Sequence, residues 1–256
     1  MRCPLMIESK TFCGFVAIVG RPNVGKSTLM NHLIGQKISI TSRKPQTTRH
    51  RVTGVYTKDD TQYLFVDTPG FQKQYLTKLN QALNQSVVNS LGNVDAIIYV
   101  VEAGNFNIGD EEVLNLLPTE ANVILVINKR DKYKDRNELN QFVKEVSKKY
   151  PFKKVLSVAA KHDHGMDELL AATKLYLPES VFLYPEEQLS DKSSRFMASE
   201  IIREKLFRSL GEELPYSLMV EIDKFEQTNK LSRVFATIIV DRENQKPMII
   251  GKGGEK

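Results

Sequence analysis

Eight residues near the start of the chain combine glycine, lysine and serine in the spacing of a phosphate-binding loop. Between a short apolar run and a segment of helical periodicity lies Gly20-Arg21-Pro22-Asn23-Val24-Gly25-Lys26-Ser27. Glycines let successive backbone N–H groups turn towards phosphate oxygens, and the first turn of a helix adds positive potential. In such a loop Lys26 bridges the β- and γ-phosphates, and the Ser27 hydroxyl ligates Mg²⁺. The stretch from Gly20 to Thr28 is therefore predicted to bind a nucleoside triphosphate.

A second segment ends an apolar strand at the place where the chain leaves the predicted sheet. It reads Asp67-Thr68-Pro69-Gly70-Phe71. A carboxylate there can hold Mg²⁺ through water, while the Gly70 N–H reaches the γ-phosphate. Such a tetrapeptide is by itself an ordinary turn, so the prediction depends on the phosphate-binding loop that precedes it.

A mobile loop is predicted between these two segments, because residues 42–50 are polar and lack periodicity. Contacts with the γ-phosphate and its metal would order such a loop, and hydrolysis would release it. We favour Thr48 over Thr47 as the metal ligand, and a simple solvated loop is the alternative. The predicted catalytic residues are Lys26, Thr48, Asp67 and Gly70, and the predicted metal ligands are Ser27, Thr48 and, through water, Asp67.

The base-recognition residues are predicted to follow two later strands. Directly after an apolar run comes Asn128-Lys129-Arg130-Asp131. A carboxylate at Asp131 accepts hydrogen bonds from guanine N1–H and the 2-amino group, and adenine would leave it buried and unpaired. Asn128 would bridge the loop backbone and purine N7, and the Lys129 stem would lie across the base. After the next strand, small residues at Ala159 and Ala160 would let a backbone N–H approach guanine O6. GTP and GDP are thus the predicted ligands, and ATP-dependent kinases are disfavoured.

Apolar runs alternate with amphipathic segments over the first two thirds of the chain. Buried strands separated by helices predict an α/β fold with a mainly parallel sheet covered on both faces. A hairpin adds one antiparallel edge strand. The predicted strands are 15–19, 52–57, 63–66, 96–101, 123–127 and 154–158, and the predicted helices are 26–34, 76–91, 110–117, 137–150 and 166–177.

A second unit is predicted after a short linker. We expect the first domain at 14–178, the linker at 179–190 and a partial second domain at 191–256. The second unit contains a predicted helix over 193–210, with Ile201, Ile202, Leu206 and Leu210 on one side, and strands over 216–225 and 233–240. Because one helix and two strands bury little apolar surface, this unit is expected to be truncated.

The composition is that of an average soluble globular protein, with 41% hydrophobic and 26% charged residues among 256. Two cysteines, Cys3 and Cys13, form no disulfide framework or metal-ligand spacing. No apolar run is long enough for a signal peptide or a membrane span. A cytoplasmic location is expected, and peripheral association with the inner face of the cell membrane stays open. The net charge of +5 hints at a polyanionic partner, but solvated helix faces explain most of the lysines.

The motifs resemble those of the translation-factor-related GTPases. The forms of 20–27, Gln46–Arg51 and 67–71 are similar to the Era family in particular. Pro215-Tyr216-Ser217 before two strands, with Ile249–Gly254 after them, is similar to the KH domain of that family. The resemblance covers nearly the whole chain. It implies a P-loop GTPase domain followed by a truncated α+β KH-type RNA-binding domain.

The resemblance also implies a partner. Members of this family bind the 3′ end of small-subunit ribosomal RNA and assist assembly of the small ribosomal subunit, which implies a monomeric, RNA-binding GTPase. A GXXG loop clamps the RNA backbone because glycines allow close approach. The helix after that loop and the third strand are absent here, and the part from Pro185 onward is nearly neutral, so RNA binding by the residues present is expected to be weak. The implied RNA-binding residues are Gly251, Lys252, Gly253 and Gly254.

Two residues of the nucleotide site carry separate hypotheses. Ras-like GTPases place glutamine after the Asp-x-x-Gly motif to orient the attacking water, whereas this chain has Phe71, which makes no such hydrogen bond. Slow intrinsic hydrolysis is therefore predicted. Related GTPases that carry asparagine at the place of Asn23 use it to help bind K⁺ beside the phosphates, and a purely structural role is the alternative.

Other functions remain as alternatives. One is a signalling or peripheral-membrane GTPase whose C-terminal segment binds protein, and another is a nucleic-acid-binding module whose nucleotide pocket does not hydrolyse. The glycine-rich end at 251–254 would then be a flexible tail. His162 and His164 flank Asp163 in a loop and are read as surface residues rather than metal ligands.

Overall fold

The structure is a computed structural model that describes residues 10–41, 48, 50–69, 78–133, 135–210, 218–228 and 231–254. Helices and strands alternate through the first part of the chain, and a helix followed by two strands opens the second part. In chain order the elements are β1 (Phe12–Val19), α1 (Lys26–Ile34), β2 (Val52–Lys58), β3 (Thr61–Asp67), α2 (Lys78–Leu91), β4 (Ala96–Glu102), α3 (Ile108–Leu114), β5 (Val123–Asn128), α4 (Arg136–Ser147), β6 (Lys154–Ser157), α5 (Met166–Lys174), α6 (Ser194–Ser209), β7 (Leu218–Gln227), β8 (Ser232–Val240) and α7 (Lys246–Ile250).

Six strands form one sheet in the order β2-β3-β1-β4-β5-β6. Every neighbouring pair is parallel except β2 and β3, which form a hairpin at one edge. This arrangement confirms the predicted mainly parallel sheet with one antiparallel edge strand. The central strands are apolar on both faces because helices cover both of them.

Two apolar layers hold the helices against the sheet. Along β4, alternate side chains point to opposite faces, so Ile98 and Val100 pack with α1 and α5. Tyr99 and its neighbours on the other face pack with α2, α3 and α4. The largest fully buried side chains include Tyr99 and Phe65. Burial of this kind contributes about 25 cal/mol per Å² of apolar surface removed from water, and it fixes the sheet that carries the site.

Helix boundaries differ from the predicted ones where a cap was not recognised. Helix α3 begins at Ile108 rather than at Asp110, because Asn107 accepts a hydrogen bond from the Gly109 N–H (2.9 Å) and Asp110 accepts one from the Asn107 N–H (3.0 Å). This reciprocal pair satisfies two free amides of the first turn. Helix α4 begins at Arg136 because the Asp135 side chain caps it with a single hydrogen bond from the Asn137 N–H (2.7 Å).

The segment between α5 and α6 lies along the hairpin side of the larger sheet. The buried Gln62 side chain holds this segment through both ends of its amide group. The Gln62 side-chain oxygen accepts from the Leu183 and Tyr184 N–H groups (2.9 and 3.0 Å), and the Gln62 side-chain nitrogen donates to the Tyr184 carbonyl (2.8 Å). Further along, the Val55 N–H donates to the Leu189 carbonyl (2.9 Å). The predicted linker is thus fixed to the first domain by several hydrogen bonds.

The second part of the chain contains α6 packed against β7, and β7 paired with β8 in an antiparallel sheet. A small cluster of Leu210, Leu218 and Val220 is buried between them. Nearly all of β8 is exposed, as is Met219 of β7. Across the described ranges, no helix is both long and apolar enough to cross a bilayer.

The prediction for α6 was wrong in one respect. Ile201, placed on the apolar side, is 43% exposed, whereas Ile202 and Leu206 pack against the small cluster as expected. A second face of α6, formed by residues three and four positions apart, is buried because it lies against the first part of the chain. This face is mostly charged and consists of Glu200, Arg203, Glu204 and Phe207.

Candidate nucleotide-binding site

The carboxyl ends of four parallel strands meet at one edge of the larger sheet. β1 leads into the glycine-rich loop, β3 ends at Asp67, β4 at Glu102 and β5 at Asn128. In register, Ile18 lies beside Asp67, and Glu102 lies beside Asn128. Ligands of open α/β sheets bind in the crevice outside these ends. This edge is therefore the candidate site.

The glycine-rich loop has backbone angles that only glycine adopts easily. Gly20 and Gly25 have φ of 154° and 104°. A Cβ at Gly25 would lie 2.4 Å from Asn128 Nδ2, and one at Gly20 would lie 2.4 Å from the Val100 carbonyl oxygen. Both positions therefore need glycine for space as well as for conformation.

Lys26 is buried at the start of α1, and its ammonium donates to the Gly20 and Arg21 carbonyl oxygens at 3.0 Å each. Burial lowers the pKa of Lys26 to about 8, although the negative charge of Asp67 opposes the shift. A desolvated cation held by carbonyl oxygens gains strongly from an anion. The arrangement is suited to phosphate oxygens.

Three hydroxyl groups converge on one carboxylate oxygen at the end of β3. Asp67 Oδ2 accepts from Ser39 (2.5 Å), Ser27 (2.9 Å) and Thr48 (3.2 Å), and the Ser27 and Thr48 hydroxyl oxygens are 3.2 Å apart. Burial raises the pKa of Asp67, while the three hydroxyl donors and Lys26 oppose that rise. The other oxygen, Oδ1, is buried without a hydrogen-bond partner among the described residues.

These residues fit a magnesium ion. Mg²⁺ takes oxygen ligands, and Ser27, Thr48 and Asp67 bring two hydroxyls and a carboxylate within hydrogen-bond distance of one another. A buried carboxylate oxygen without a donor is costly unless a cation or water meets it. Thr48, favoured over Thr47 from the sequence, is buried in this cluster, and Thr47 lies outside the described residues.

Asn128 joins the loops of the site. Its Nδ2 donates to the Val24 carbonyl (2.9 Å), and its Oδ1 accepts from the Lys129 and Ala160 N–H groups (2.8 and 3.1 Å). The side chain thus bridges loop backbones as expected. With its side-chain amide used in this way, Asn128 fixes the loop after β5 against the phosphate loop.

The remaining base-recognition residues lie on the loops after β5 and β6. Asp131 lies in a short turn, with its carboxylate about one-third exposed and 3.7 Å from His162 Nε2. Lys129 has φ of 63°, and its ammonium donates to the Asn23 carbonyl at 2.6 Å. The Ala159 and Ala160 amides both donate within the protein, to the His164 carbonyl and to Asn128. Their predicted contact with guanine O6 stays a prediction.

Other predicted residues are placed as follows. Thr68 is buried and donates its hydroxyl to the Ile18 carbonyl (2.9 Å), and Pro69 follows it. Gly70 and Phe71 lie outside the described residues. Gly251, Gly253 and Gly254 all have positive φ, of 76°, 70° and 80°, directly after α7, and Lys252 lies among them.

Sequence reasoning missed three residues that support the site: Ser39, Glu102 and Asp110. Glu102 ends a fully apolar strand at the ligand-binding edge, a position that offers a usable signal. Ser39 and Asp110 belong to no motif, and their roles appear only when β3 meets the segment after α1, and when α3 approaches the phosphate loop.

Known protein families match both parts of the chain. The family described as "50S ribosome-binding GTPase" matches residues 15–129, and the KH domain family matches residues 213–256. "GTPase Era" of Chromobacterium violaceum is 57% identical over 251 residues, covering 98% of this chain and 85% of the relative. The chain belongs to the Era family of GTPases. A second relative, from Neisseria meningitidis serogroup C, is 57% identical over 246 residues, covering 95% of this chain and 80% of that protein.

Solved structures of the family share the fold. Era in complex with MgGDPNP and nucleotides 1506–1542 of 16S ribosomal RNA aligns with a TM-score of 0.89 at 38% identity, covering 96% of this chain and 84% of the other. A variant of Aquifex aeolicus Era bound to GDP·AlF4⁻ gives the same values. The predicted P-loop GTPase domain, the KH domain and the GTPase activity are confirmed.

Proposed function

We propose that this GTPase binds small-subunit ribosomal RNA and assists assembly of the small ribosomal subunit. The observation that carries the proposal is that one chain holds a guanine-nucleotide site, built around Asp67 and Asn128, and a KH domain with a glycine-rich turn at 251–254. A related Era, 38% identical, has been crystallised with both MgGDPNP and a 16S ribosomal RNA fragment. That relationship supports the same two ligands here.

In this proposal the residues from Gly20 to Thr28 bind the phosphates, and those from Asn128 to Asp131 bind guanine, with Ala159 and Ala160. Lys26 balances charge on the β- and γ-phosphates, and the loop amides hold the γ-phosphate for in-line attack by water. Mg²⁺ would be held by Ser27, Thr48 and Asp67, and it supplies charge neutralisation at the phosphates when bound. Thr68 to Phe71 complete the nucleotide contacts.

Hydrolysis is proposed to be slow, because Phe71 stands where a water-orienting glutamine stands in Ras-like GTPases. Turnover of the isolated protein close to that of an arginine-finger-activated GTPase would contradict this. Asn23, whose backbone is held in a left-handed conformation (φ 66°), is proposed to help bind K⁺ beside the phosphates. Equal turnover in sodium and potassium buffers would remove the K⁺ proposal.

We propose that the GTPase domain spans 14–178, the linker 179–190 and the KH part 191–256. RNA is proposed to contact the turn at 251–254, where positive φ angles at three glycines let a phosphate backbone approach closely. We also propose a cytoplasmic monomer, with any contact at the inner face of the cell membrane being peripheral.

RNA binding tests the proposal directly. A fluorescent RNA with the 3′-terminal small-subunit sequence is titrated with the protein in Mg²⁺ and either a non-hydrolysable GTP analogue or GDP. The control is Gly253→Asp, which places a carboxylate and a Cβ where glycine has φ of 70°. We expect binding by the parent protein and at least about tenfold weaker binding by the variant, because an acid beside a phosphate is repelled.

Two outcomes would contradict the RNA proposal. The first is no preference for this RNA over an unrelated RNA of equal length. The second is unchanged affinity in Gly253→Asp. Protein capture through the C-terminal segment, with neither RNA effect, would favour a signalling GTPase instead.

A further inference from the structure

A charged cluster joins the phosphate loop to the base-recognition loop, and its central residue belongs to no motif. Its centre is Glu102, the last residue of β4, which is paired in register with Asn128 of β5. The Glu102 carboxylate lies between the loop after β1 and the loop after β5. Its side chain is only 15% exposed, so its charge is poorly screened by solvent.

The two oxygens of Glu102 bind different loops. Oε2 accepts from Arg21 Nη2 of the phosphate loop (3.4 Å), and Oε1 meets the ammonium groups of Lys129 (3.0 Å) and Lys132 (2.8 Å) on the base-recognition loop. Burial opposes ionisation of Glu102, but hydrogen bonds from Lys132 and Lys129 outweigh it and hold the pKa of the carboxyl below its ordinary value. Glu102 is therefore an anion between three cations.

Asp110 completes the fixation of Arg21. Its Oδ2 accepts from Arg21 Nε (2.9 Å), and its carboxylate is held in turn by the Asn107 N–H (3.0 Å). Asp110 is fully buried and Arg21 is 14% exposed. A guanidinium presents its donors in a rigid fork, so two carboxylates fix its orientation more tightly than one. Helix α3 thereby holds the second residue of the phosphate loop.

One direct contact between the two loops lies beside this cluster. Lys129 Nζ, which binds Glu102, also donates to the Asn23 carbonyl of the phosphate loop (2.6 Å). Loss of the Glu102 charge would remove one anchor from Arg21 and one from Lys129 at the same time. Arg21 belongs to the phosphate loop and Lys129 to the base-recognition loop. The contacts to the phosphates and to the base would therefore weaken together.

We propose that Glu102 is a positioning residue that couples the phosphate loop to the base-recognition loop through Arg21 and Lys129, with Asp110 as the second anchor of Arg21. Glu102 contacts loop side chains rather than the predicted metal cluster around Asp67. It therefore governs how long a guanine nucleotide stays bound, and not the chemical step. The inference rests on the proposed roles of residues 20–27 and 128–131.

The test compares Glu102→Gln, which keeps the shape and removes the charge, with Glu111→Gln. Glu111 follows Asp110 in α3, and its exposed side chain pairs with Lys149 (3.2 Å) rather than with Arg21 or Lys129. Dissociation of a fluorescent GDP analogue is followed after mixing with excess GDP. Single-turnover hydrolysis of prebound GTP and the melting temperature without nucleotide are measured on the same samples.

For Glu102→Gln we expect GDP dissociation about tenfold faster, because a charge-assisted contact to each loop is weakened. The single-turnover rate should stay within about twofold, since the metal cluster is untouched. Glu111→Gln should match the parent protein in all three measurements. Unchanged GDP dissociation in Glu102→Gln would overturn the inference. So would a fall in melting temperature large enough for unfolding of the variant to explain its weaker GDP binding.

A nested pair of variants tests the role of Asp110. In the parent protein, Asp110→Asn should speed GDP dissociation, whereas in an Arg21→Gln background it should have no further effect. Glu102→Gln should keep part of its effect in that background, because Lys129 remains its partner. Additive effects of Arg21→Gln and Asp110→Asn would contradict the proposal. If the parent protein itself fails to bind GDP, the proposed nucleotide site has failed, and this result is distinct from either outcome.

Discussion

Asn128 Nδ2 donates a 2.9 Å hydrogen bond to the carbonyl oxygen of Val24, across 104 positions of sequence. The bond is buried, and it lies beside Gly25, where a Cβ would fall 2.4 Å from the same nitrogen. A buried side-chain amide therefore joins the phosphate loop to the base-recognition loop. We therefore expect the binding of both ends of a nucleotide to depend on this contact.

Replacement of Asn128 by alanine should loosen both loops. The Val24 carbonyl and the Ala160 N–H would lose their partners, at a cost of about 1–3 kcal/mol for each buried group left unpaired. We expect GDP affinity to fall by at least about tenfold, since 1.4 kcal/mol corresponds to a factor of ten. Isothermal titration with GDP measures the change. The exposed Asn89 of α2 provides the control, and Asn89→Ala should bind GDP as the parent protein does.

Nucleotide affinity should fall at alkaline pH because of Lys26. Burial lowers the pKa of its ammonium to about 8, whereas bound phosphates favour the charged form and raise the pKa. When the pKa of a group is higher in the complex than in the free protein, its charge contributes fully to binding below the free-protein pKa. That contribution to the binding free energy is lost as the pH rises towards the pKa in the complex. The GDP Kd should be constant below about pH 8 and weaken by up to about tenfold per pH unit above it.

Calorimetry in buffers of different ionisation enthalpy checks this directly. Net proton uptake on GDP binding should appear above about pH 8 and vanish near neutral pH. Lys144→Met removes an exposed lysine of α4 and should leave the profile unchanged. A Kd that does not change between neutral pH and about pH 9 would contradict the predicted linkage.

The same burial predicts that Lys26→Met stabilises the protein without nucleotide. The pKa of Lys26 lies below the ordinary 10.5 of the unfolded chain, so the charged form costs free energy of folding at neutral pH. That cost disappears as pH rises from about 8 to 10.5. We expect a higher melting temperature for Lys26→Met at pH 7, together with loss of GTP binding. A lower melting temperature than that of the parent would contradict the direction of the shift.

Ser39→Ala should weaken magnesium-dependent activity. The Ser39 hydroxyl donates to Asp67 Oδ2 at 2.5 Å, and Asn31 holds its backbone in place. Without this donor the pKa of Asp67 rises further, so a proton competes better with Mg²⁺ for the carboxylate, which also loses one of the groups that position it. The Mg²⁺ concentration for half-maximal GTP hydrolysis should increase about three- to tenfold, which corresponds to a typical net hydrogen-bond contribution of about 1 kcal/mol. Ser147→Ala, on the exposed end of α4, is the control, and equal Mg²⁺ dependence in both variants would contradict the role of Ser39.

Glu204 of α6 should be needed for stability of the interface between the two parts of the chain. It is fully buried and pairs with Lys37 (2.5 Å) and with Arg208, which donates in turn to the Thr41 carbonyl (3.2 Å). Glu204→Ala removes the shared counter-charge of Lys37 and Arg208, which are both about half exposed, so the expected loss is about 1 kcal/mol. Urea unfolding measures the loss. The exposed Glu187→Ala should change the free energy of unfolding by less than about 0.5 kcal/mol, and an equal effect would contradict this assignment.

The sequence predicted the site where local pattern and strand ends coincide. Asp67 and Asn128 follow apolar runs, and parallel strands bring their ends to one edge, so the pattern implies proximity. The pairing of Ser39 with Asp67 had no such signal, because it depends on how the segment after α1 folds over β3. The charged face of α6 was missed for a similar reason: Glu204 looks like a solvent residue until Lys37, from a distant part of the chain, pairs with it.

The hydrogen bonds from the linker to β2 also occupy backbone groups through which the larger sheet could pair with another molecule. β2 is an edge strand, and such a strand invites pairing with a strand of another molecule. The Val55 N–H is bound to the Leu189 carbonyl, and the Thr53 carbonyl accepts from the Asp191 N–H (3.0 Å). At the opposite edge, β6 is four residues long and begins with the exposed Lys154. The sheet is thus closed to edge-to-edge aggregation on one side by its own linker and on the other by a short, charged strand.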